Sequence, residues 1–365
     1  MRLTVVGNPG NRRVSMFTDA VLAAGLPRPV MLPWVEVLTG AAPPSAGTLV
    51  RVDSPGEDAR VDQLLRRSPT VARHGELVGL ADAYAGLVDG MARVSAGGAT
   101  LLNPPEDVAV LCDKRRCHAR LAAAGVPVPD ALPQVGGYAE LRSAMAQAGW
   151  CRVFVKPAHG SSAAGIIALA VGAGRVQALT TIEQTPEALF NSLRLRRYTD
   201  ETQIAAIVDR LGPEGLHVEQ WLPKAGIGDR VVDLRVLVIA GRPDHVVVRA
   251  ARGPLTNLHL GNARGDLDEV RRAAGARQWS AAMETCERAA ACFPDSLHVG
   301  VDLMFLLGWR RHAVAEVNAF GDLLPGVLAD GRDSYAAQVH ALTDGGWRPG
   351  RAGPAASPEV VGCGA

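Results

Sequence analysis

Short apolar runs alternate with amphipathic stretches along the first hundred residues of the chain. The runs at 3–7 and 48–53 predict strands, and the stretches at 15–24 and 57–67 predict helices. This order is typical of a small parallel α/β domain. The turn at 7–13 follows the first strand, where such domains often bind ligands, but it lacks the spacing of a dinucleotide loop or a Walker loop. A substrate-binding turn and a solvated glycine turn both remain open.

The pattern changes at 103–107, where Asn-Pro-Pro-Glu-Asp opens a helix predicted to run toward Ala124. Beyond that helix, strands are predicted at 153–156 and 165–170. From 218 onward strands dominate, with one helix near 279–292; the strands are predicted at 218–222, 231–240, 245–250, 300–306 and 313–317. The composition after Trp347 is that of a disordered tail. We therefore expect an α/β N-terminal domain followed by a two-lobed α+β module, with the divisions 1–103, 104–215, 216–346 and 347–365.

The composition favours a compact protein of several lobes. At 365 residues the chain exceeds the length at which a single core stops growing. Its formal net charge is +1 and no dense basic run occurs, which argues against nucleic acid or an anionic membrane as a partner. No apolar stretch approaches a membrane span, and the six cysteines fit free thiols in a reducing compartment. We expect a cytoplasmic protein, compatible with a homo-oligomer.

Lysine is nearly absent: only Lys114, Lys156 and Lys224 occur among 38 basic residues. A chain that has exchanged almost all lysine for arginine retains it where a compact ammonium is required, or by chance on the surface. Lys156 ends a predicted strand and precedes a loop of small residues that contains Gly160, Ser161 and Ser162. Such a lysine can hold phosphate while loop amides close over it.

The same loop has a second interpretation, a serine hydrolase built on His159-Gly160-Ser161-Ser162. The loop lacks the G-x-S-x-G pattern, because Ala164 stands at the final glycine position, and no order of acid and histidine partners accompanies it.

Polar residues interrupt two apolar strands near the end of the chain and predict a magnesium site. Glu316 and Asn318 are two positions apart, so they project from the same face of one strand. If the predicted hairpin places Asp302 opposite them, three hard oxygen ligands converge, which suits Mg²⁺. Carboxylates paired with arginines on a wet sheet face are the alternative.

Further anion-binding groups lie between these two motifs. Arg235 follows Asp233 by two positions at the start of an apolar strand, and Arg249, Arg252 and Asn257 come later. Each arginine could neutralise a phosphate, although an ordinary salt bridge explains any one of them equally well.

The order of these groups resembles the ATP-grasp superfamily, in particular the branch that contains glutathione synthetase and the ribosomal-protein glutamate ligases. The resemblance spans residues 103–335, and its motifs are Lys114, Lys156, Glu219-Gln220-Trp221-Leu222, Asp233-x-Arg235, Asn257, Asp302 and Glu316-x-Asn318. It implies a two-lobed ATP-grasp module behind the N-terminal α/β domain. It also implies an ATP- and Mg²⁺-dependent carboxylate-amine ligase that works through an acyl phosphate, with Mn²⁺ as an alternative ion.

The resemblance assigns roles to the matching positions. Lys114, Lys156 and the loop at 160–162 would hold the nucleotide phosphates, and 219–222 would form the hinge that recognises adenine. Asp302, Glu316 and Asn318 would bind the metal ion, and Arg235, Asn257, Arg249 and Arg252 would face the γ-phosphate. Lys224 stands where many relatives have a ribose-binding acid, so it is expected either to reach a phosphate or to be solvated.

A closer resemblance is to a bacterial ATP-grasp subgroup that shares the phrases at 53–58, 191–194 and 221–224. Members are encoded beside radical S-adenosylmethionine proteins, which implies peptide or natural-product modification. The expected substrates are a small-molecule or peptide carboxylate and an amine. Candidate substrate-binding residues are Asp53, Asn191, Arg194 and Arg197, with a role in joining domains as the alternative. A kinase or a nucleotide-binding regulatory protein of the same fold is the competing function.

Overall fold

The N-terminal domain is a parallel α/β unit, as its sequence predicts. The computed structural model describes residues 1–160, 163–172 and 174–349. The four strands of the first sheet are parallel and lie in the order β2-β1-β3-β4. They are β1 (Arg2–Gly7), β2 (Val30–Pro33), β3 (Thr48–Val52) and β4 (Thr100–Leu101), and the helices are α1 (Arg12–Ala23), α2 (Trp34–Thr39), α3 (Ala59–Leu65) and α4 (Leu80–Ser95).

Two helices replace the single helix predicted between 103 and 124. They are α5 (Pro105–Leu111) and α6 (Lys114–Ala123). The break lies at Asp113, whose Oδ1 accepts hydrogen bonds from the backbone N–H groups of Arg115 and Arg116 and so begins a new helix. Both helices bury side chains in the core shared by the N-terminal domain and the C-terminal sheet. The start of α6 also contacts the small lobe, because the backbone N–H of Lys114 donates to Ala158 O at 2.9 Å.

The small lobe is an antiparallel five-stranded sheet in the order β8-β7-β6-β5-β9, covered by two helices. The polar stretch around residue 191, which carried no strand prediction, belongs to edge strand β8. The lobe contains α7 (Tyr138–Gln147), β5 (Arg152–Pro157), β6 (Ile167–Gly172), β7 (Arg175–Gln184), β8 (Leu189–Tyr198), α8 (Glu201–Leu211) and β9 (Leu216–Gln220). Because β9 completes this sheet, the lobe extends to Gln220 rather than ending at 215.

The C-terminal lobe is built on a second antiparallel sheet, in the order β13-β12-β11-β14-β15 with β10 beside β11. Its strands are β10 (Gly226–Ile227), β11 (Arg230–Ile239), β12 (Arg242–Ala251), β13 (Ala263–Arg264), β14 (His298–Phe305) and β15 (His312–Asn318), and its helices are α9 (Leu267–Ala291) and α10 (Ser334–Thr343). The predicted hairpin of β14 and β15 is confirmed, with Asp302 opposite Glu316.

The end of the described chain returns to the N-terminal domain. Tyr335 and Val339 of α10 share a buried cluster with Phe17 and Val21 of α1. Trp347, where the predicted tail begins, is buried in a core cluster and donates its backbone N–H to Ala341 O, so the packed structure extends past that position. The rest of the predicted tail, 350–365, lies outside the described residues.

Candidate active site

All three lysines of the chain line one cleft between the small lobe and the C-terminal lobe. Lys156, on β5, lies on the same face of the strand as Phe154, because the two residues are two positions apart. Opposite them stand residues of β11, β12, β14 and β15. The sequence-predicted residues that line this cleft are Lys114, Lys156, Gly160, Glu219, Gln220, Leu222, Lys224, Arg249, Asn257, Asp302 and Glu316.

Two of the lysines are paired with buried or half-buried carboxylates. Lys156 Nζ lies 2.5 Å from Glu219 Oε1, and Lys114 Nζ lies 3.2 Å from Glu316 Oε1. Lys114 also donates to the carbonyl of Gly160, which connects the start of α6 to the small-residue loop. Ser161 and Ser162 of that loop lie outside the described residues.

Both carboxylates stay ionised at neutral pH. Burial alone would raise the pKa of Glu219, but Lys156 and then His217 lower it to about 2. Burial acts in the same way on Glu316, whose pKa is nevertheless held below its ordinary value by Lys114, Lys156 and Arg235. The cleft therefore holds fixed charges of both signs at short distance.

Lys224 is not a solvated surface residue. Its side chain is 12% exposed, and Nζ donates to Asp233 Oδ2 at 2.7 Å and to Thr256 Oγ1 at 2.9 Å. Asp233 also accepts from Arg249 Nε at 2.7 Å. Arg249 and Lys224 keep the pKa of Asp233 far below its ordinary value although burial opposes this.

The predicted metal ligands lie on one face of the β14–β15 hairpin. Asp302 and Glu316 are paired across the strands, and Asn318 is paired with Gly300 two positions further along. Asn318 Nδ2 donates to the carbonyl of Gly300 at 3.3 Å, which leaves its Oδ1 as the available ligand atom. Two carboxylates and an amide oxygen are a donor set that fits Mg²⁺.

Arginines already occupy one of these carboxylates. Arg235 Nε lies 2.6 Å from Asp302 Oδ1, and Arg249 Nη1 lies 3.2 Å from Asp302 Oδ2. The alternative that the sequence left open, a carboxylate paired with arginines, thus describes Asp302 as the structure shows it. The described residues contain no group of three His, Cys, Asp or Glu side chains arranged to hold a metal ion.

Several predicted site residues lie away from the cleft lining. Arg252 is 76% exposed on its side chain and pairs with Asp229, because it lies beyond the end of β12. Trp221 is not among the lining residues and packs against one of them, Phe154, at 5.3 Å between ring centroids, with Arg152 on its ring. The predicted γ-phosphate contact of Arg252 therefore has no support in this arrangement.

The four candidate substrate residues are dispersed. Asp53 is buried in the N-terminal domain beside Arg51. Asn191 joins the small lobe to the N-terminal domain by donating its backbone N–H to Gly75 O at 2.7 Å, which matches the domain-joining alternative. Arg194 and Arg197 are exposed on β8. The structure does not bring the four together.

Sequence reasoning missed the apolar wall of the cleft and one hydroxyl. Phe154, Leu255 and Met304 provide apolar surface, and Thr256 bonds to the Asp233–Lys224 pair. Phe154 and Met304 could have been found, since each lies two positions from a predicted site residue on the same strand.

His159, the histidine of the serine hydrolase interpretation, is stacked on Tyr84, with 3.9 Å between ring centroids.

Solved structures provide the comparison with known proteins. No family model and no curated protein matches the chain. The ATP-grasp ligase PsnB complexed with a minimal precursor superposes with a TM-score of 0.51 at 18% identity, covering 93% of this chain and 98% of that chain. The chain has the ATP-grasp fold.

Two further solved structures match more than nine-tenths of the chain. The D-cycloserine synthetase DcsG matches with a TM-score of 0.56 at 16% identity, over 93% of this chain and 98% of that chain. The macrocyclase MdnC from Microcystis aeruginosa, bound with precursor peptide MdnA, matches with a TM-score of 0.54 at 11% identity, over 94% and 100%. The finer placement beside glutathione synthetase stays a prediction.

None of the helices in the described part of the chain has the length and apolar character needed to cross a membrane.

Proposed function

We propose that this protein is an ATP- and Mg²⁺-dependent carboxylate-amine ligase. The observation that carries the proposal is the convergence of all three lysines with Asp302 and Glu316 in the cleft of an ATP-grasp fold. Ammonium groups and carboxylates within one cleft can bind a polyphosphate together with its metal ion.

Each part of the cleft has a role in this proposal. Lys114 and Lys156 bind phosphate oxygens as point charges, and the apolar surface of Phe154, Leu255 and Met304 holds the adenine beside Gln220 and Leu222. Asp302, Glu316 and Asn318 hold Mg²⁺, which offsets negative charge on the phosphates when it is bound.

The proposed reaction has two steps. A substrate carboxylate oxygen attacks the γ-phosphorus of ATP, the bond to the β-phosphate oxygen breaks, and ADP leaves. The amine nitrogen then attacks the acyl carbon, phosphate leaves, and the nitrogen loses a proton to form the amide. Arg235 and Arg249 stabilise the negative charge on the transferring group, and closure of the lobes excludes water that would hydrolyse the acyl phosphate.

The named relatives narrow the substrate class. PsnB and MdnC are bound to precursor peptides, and DcsG is a D-cycloserine synthetase. We infer a peptide or a small natural-product intermediate as the carboxylate or amine substrate. This agrees with the peptide or natural-product modification that the resemblance to the bacterial subgroup implies.

The test is ADP formation in the presence of panels of amino acids and peptides, with identification of the product. We expect ADP and phosphate in equal amounts with an amide product, and loss of both in Lys156→Ala and Glu316→Ala. Activity that survives both substitutions would refute the proposed site. A phosphoester product would instead establish a kinase of the same fold.

A further inference from the structure

A fully buried arginine of the N-terminal domain reaches the segment that follows the predicted metal-binding strand. Arg51 lies on β3 and is 1% exposed. Its Nη2 donates to Asp53 Oδ1 at 2.9 Å and to Asp322 Oδ2, and its Nη1 donates to Gln338 Oε1. One guanidinium thus joins β3, the segment after β15, and α10.

The surroundings of Arg51 keep it charged and fixed. The rings of Phe17 and Tyr335 lie 4.7 Å and 5.1 Å from its guanidinium carbon. Although burial disfavours the cation, Asp53 and Asp322 raise the pKa of Arg51 above its ordinary value. Apolar packing of the same volume often stabilises a fold as well as a buried ion cluster does, so the distinctive contribution of this cluster is the fixed geometry of its partners.

Asp322 is held from three directions. In addition to Arg51, Gln338 Nε2 donates to Asp322 Oδ2 at 3.1 Å, and Ser334 Oγ donates to the backbone carbonyl of Asp322 at 2.7 Å. His298 Nε2 of β14 lies 3.4 Å from the same Oδ2. The N-terminal domain, α10 and β14 therefore share in placing Asp322, and Arg51 is the contact that comes from the N-terminal domain.

The neighbouring residue contacts the candidate active site. Gly321 O lies 3.5 Å from Arg235 Nη1, and Arg235 binds Asp302. Gly321 also packs on Gly300, since a Cβ at Gly321 would lie 2.8 Å from Gly300 Cα. Gly300 is the residue whose carbonyl accepts from Asn318. A shift of Asp322 would therefore displace Gly321 and, through its contacts, Arg235 and Asn318.

We propose that Arg51 is a positioning residue for the metal site: by fixing Asp322 it sets the path of residues 318–322, and with it the placement of Asn318 and Arg235. The N-terminal domain thereby takes part in metal binding without touching the metal ion. This inference rests on the proposed function, because it concerns the same metal site.

The test is a titration of Mn²⁺ by electron paramagnetic resonance in the presence of ADP, with the full chain. Arg51→Lys keeps the charge but loses the planar fork that reaches several acceptors. We expect the Mn²⁺ dissociation constant to rise about tenfold, the change that loss of a charged hydrogen bond produces. Binding of ADP without metal should change less than twofold, because Lys114 and Lys156 are untouched.

Arg66→Lys is the matched control. Arg66 also belongs to the N-terminal domain, its side chain is 10% exposed, and it bonds to Asp62 and to backbone carbonyls far from residues 318–322. This variant should keep the wild-type Mn²⁺ affinity. Asp322→Asn keeps the shape of the side chain that Arg51 binds but removes its charge. It should also raise the Mn²⁺ dissociation constant, and it serves as the test if Arg51→Lys does not fold.

Wild-type Mn²⁺ affinity in folded Arg51→Lys or Asp322→Asn would overturn the inference, as would equal weakening in Arg66→Lys. Failure of the wild-type protein to bind ADP at all would instead refute the proposed function, and the inference with it. The two failures are therefore distinguishable in one set of titrations.

Discussion

Arg235 holds both oxygens of Asp302: its Nε lies 2.6 Å from Oδ1, and its Nη2 lies 3.3 Å from Oδ2. Lys114 Nζ lies 3.2 Å from one oxygen, Oε1, of the other predicted carboxylate ligand, Glu316. Protein cations thus neutralise the two carboxylates on which the proposed metal site depends. A polyphosphate would draw these cations to itself and leave the carboxylates to the metal ion.

The first prediction is that metal binding depends on nucleotide. Mn²⁺ alone should bind at least tenfold more weakly than Mn²⁺ in the presence of ADP, because without nucleotide it competes with Arg235 and Lys114 for the carboxylates. Titration of the free Mn²⁺ signal in both conditions measures the difference. Equal affinity with and without ADP would contradict this relationship.

The second prediction concerns Lys224. Lys224→Met should lower the free energy of unfolding by about 2 kcal/mol, because it removes a charged donor from the buried carboxylate of Asp233. It should also weaken ATP binding, since this ammonium lines the cleft. Urea unfolding and nucleotide titration measure the two effects.

The control for that stability effect is Arg252→Met, which breaks a pair whose side chains are 76% and 65% exposed. It should change the free energy of unfolding by less than about 0.5 kcal/mol. A loss as large as that of Lys224→Met would mean that burial does not distinguish the two cations.

The third prediction is a pH dependence that originates at His298. Burial lowers the pKa of His298 to about 4, so the folded protein holds it neutral where the unfolded chain, with a pKa near 6.5, is already protonated. This group adds stability above pH 6.5 and loses it as the pH falls toward 4. Protonation of His298 should therefore lower the free energy of unfolding by about 2 kcal/mol between pH 7 and pH 5.

Substitution His298→Gln should flatten that part of the stability profile, measured by denaturant unfolding at each pH. His74→Gln replaces an exposed histidine and should leave the profile unchanged. Profiles of the same slope in the wild type and in His298→Gln would show that this histidine is not the source.

The fourth prediction concerns Gly321. A Cβ in Gly321→Ala would overlap Arg235 Nη1 and would lie 2.8 Å from Gly300 Cα, so the backbone and the arginine must both shift. We expect a loss of about 1 to 3 kcal/mol in the free energy of unfolding together with reduced ATP turnover. Gly172→Ala, where a Cβ meets nothing within 4 Å, should be nearly neutral. Equal effects of the two substitutions would contradict the close packing of Gly321 on Gly300.

The sequence predicted the local parts of this site because each depends on residues close together in the chain. Alternation along a strand placed Glu316 and Asn318 on one face, and the hairpin brought Asp302 opposite Glu316. The break at Asp113 was missed because an N-cap inside a continuous amphipathic pattern gives no change in periodicity. The edge strand β8 was missed because Leu189 alone among its residues is buried, so the strand has no alternation of buried and exposed positions.

Contacts between distant segments could not be predicted from one sequence. Arg51 and Asp322 are 271 positions apart, and nothing in either neighbourhood indicates the other. Lys224 was left between a phosphate contact and the surface, since only the fold brings Thr256 to its ammonium group. The exposure of Arg252 likewise follows from where β12 ends.

The most direct test of the central claim uses the lysines themselves. Because all three line the cleft, a trace of an amine-reactive acetylating reagent followed by peptide mass spectrometry reports on this cleft through its lysines. We predict that ATP with Mg²⁺ slows acetylation of Lys114, Lys156 and Lys224 at least fivefold, while a lysine-containing reference peptide in the same sample reacts at an unchanged rate. Equal acetylation of the three lysines with and without saturating ATP would contradict a nucleotide site in this cleft.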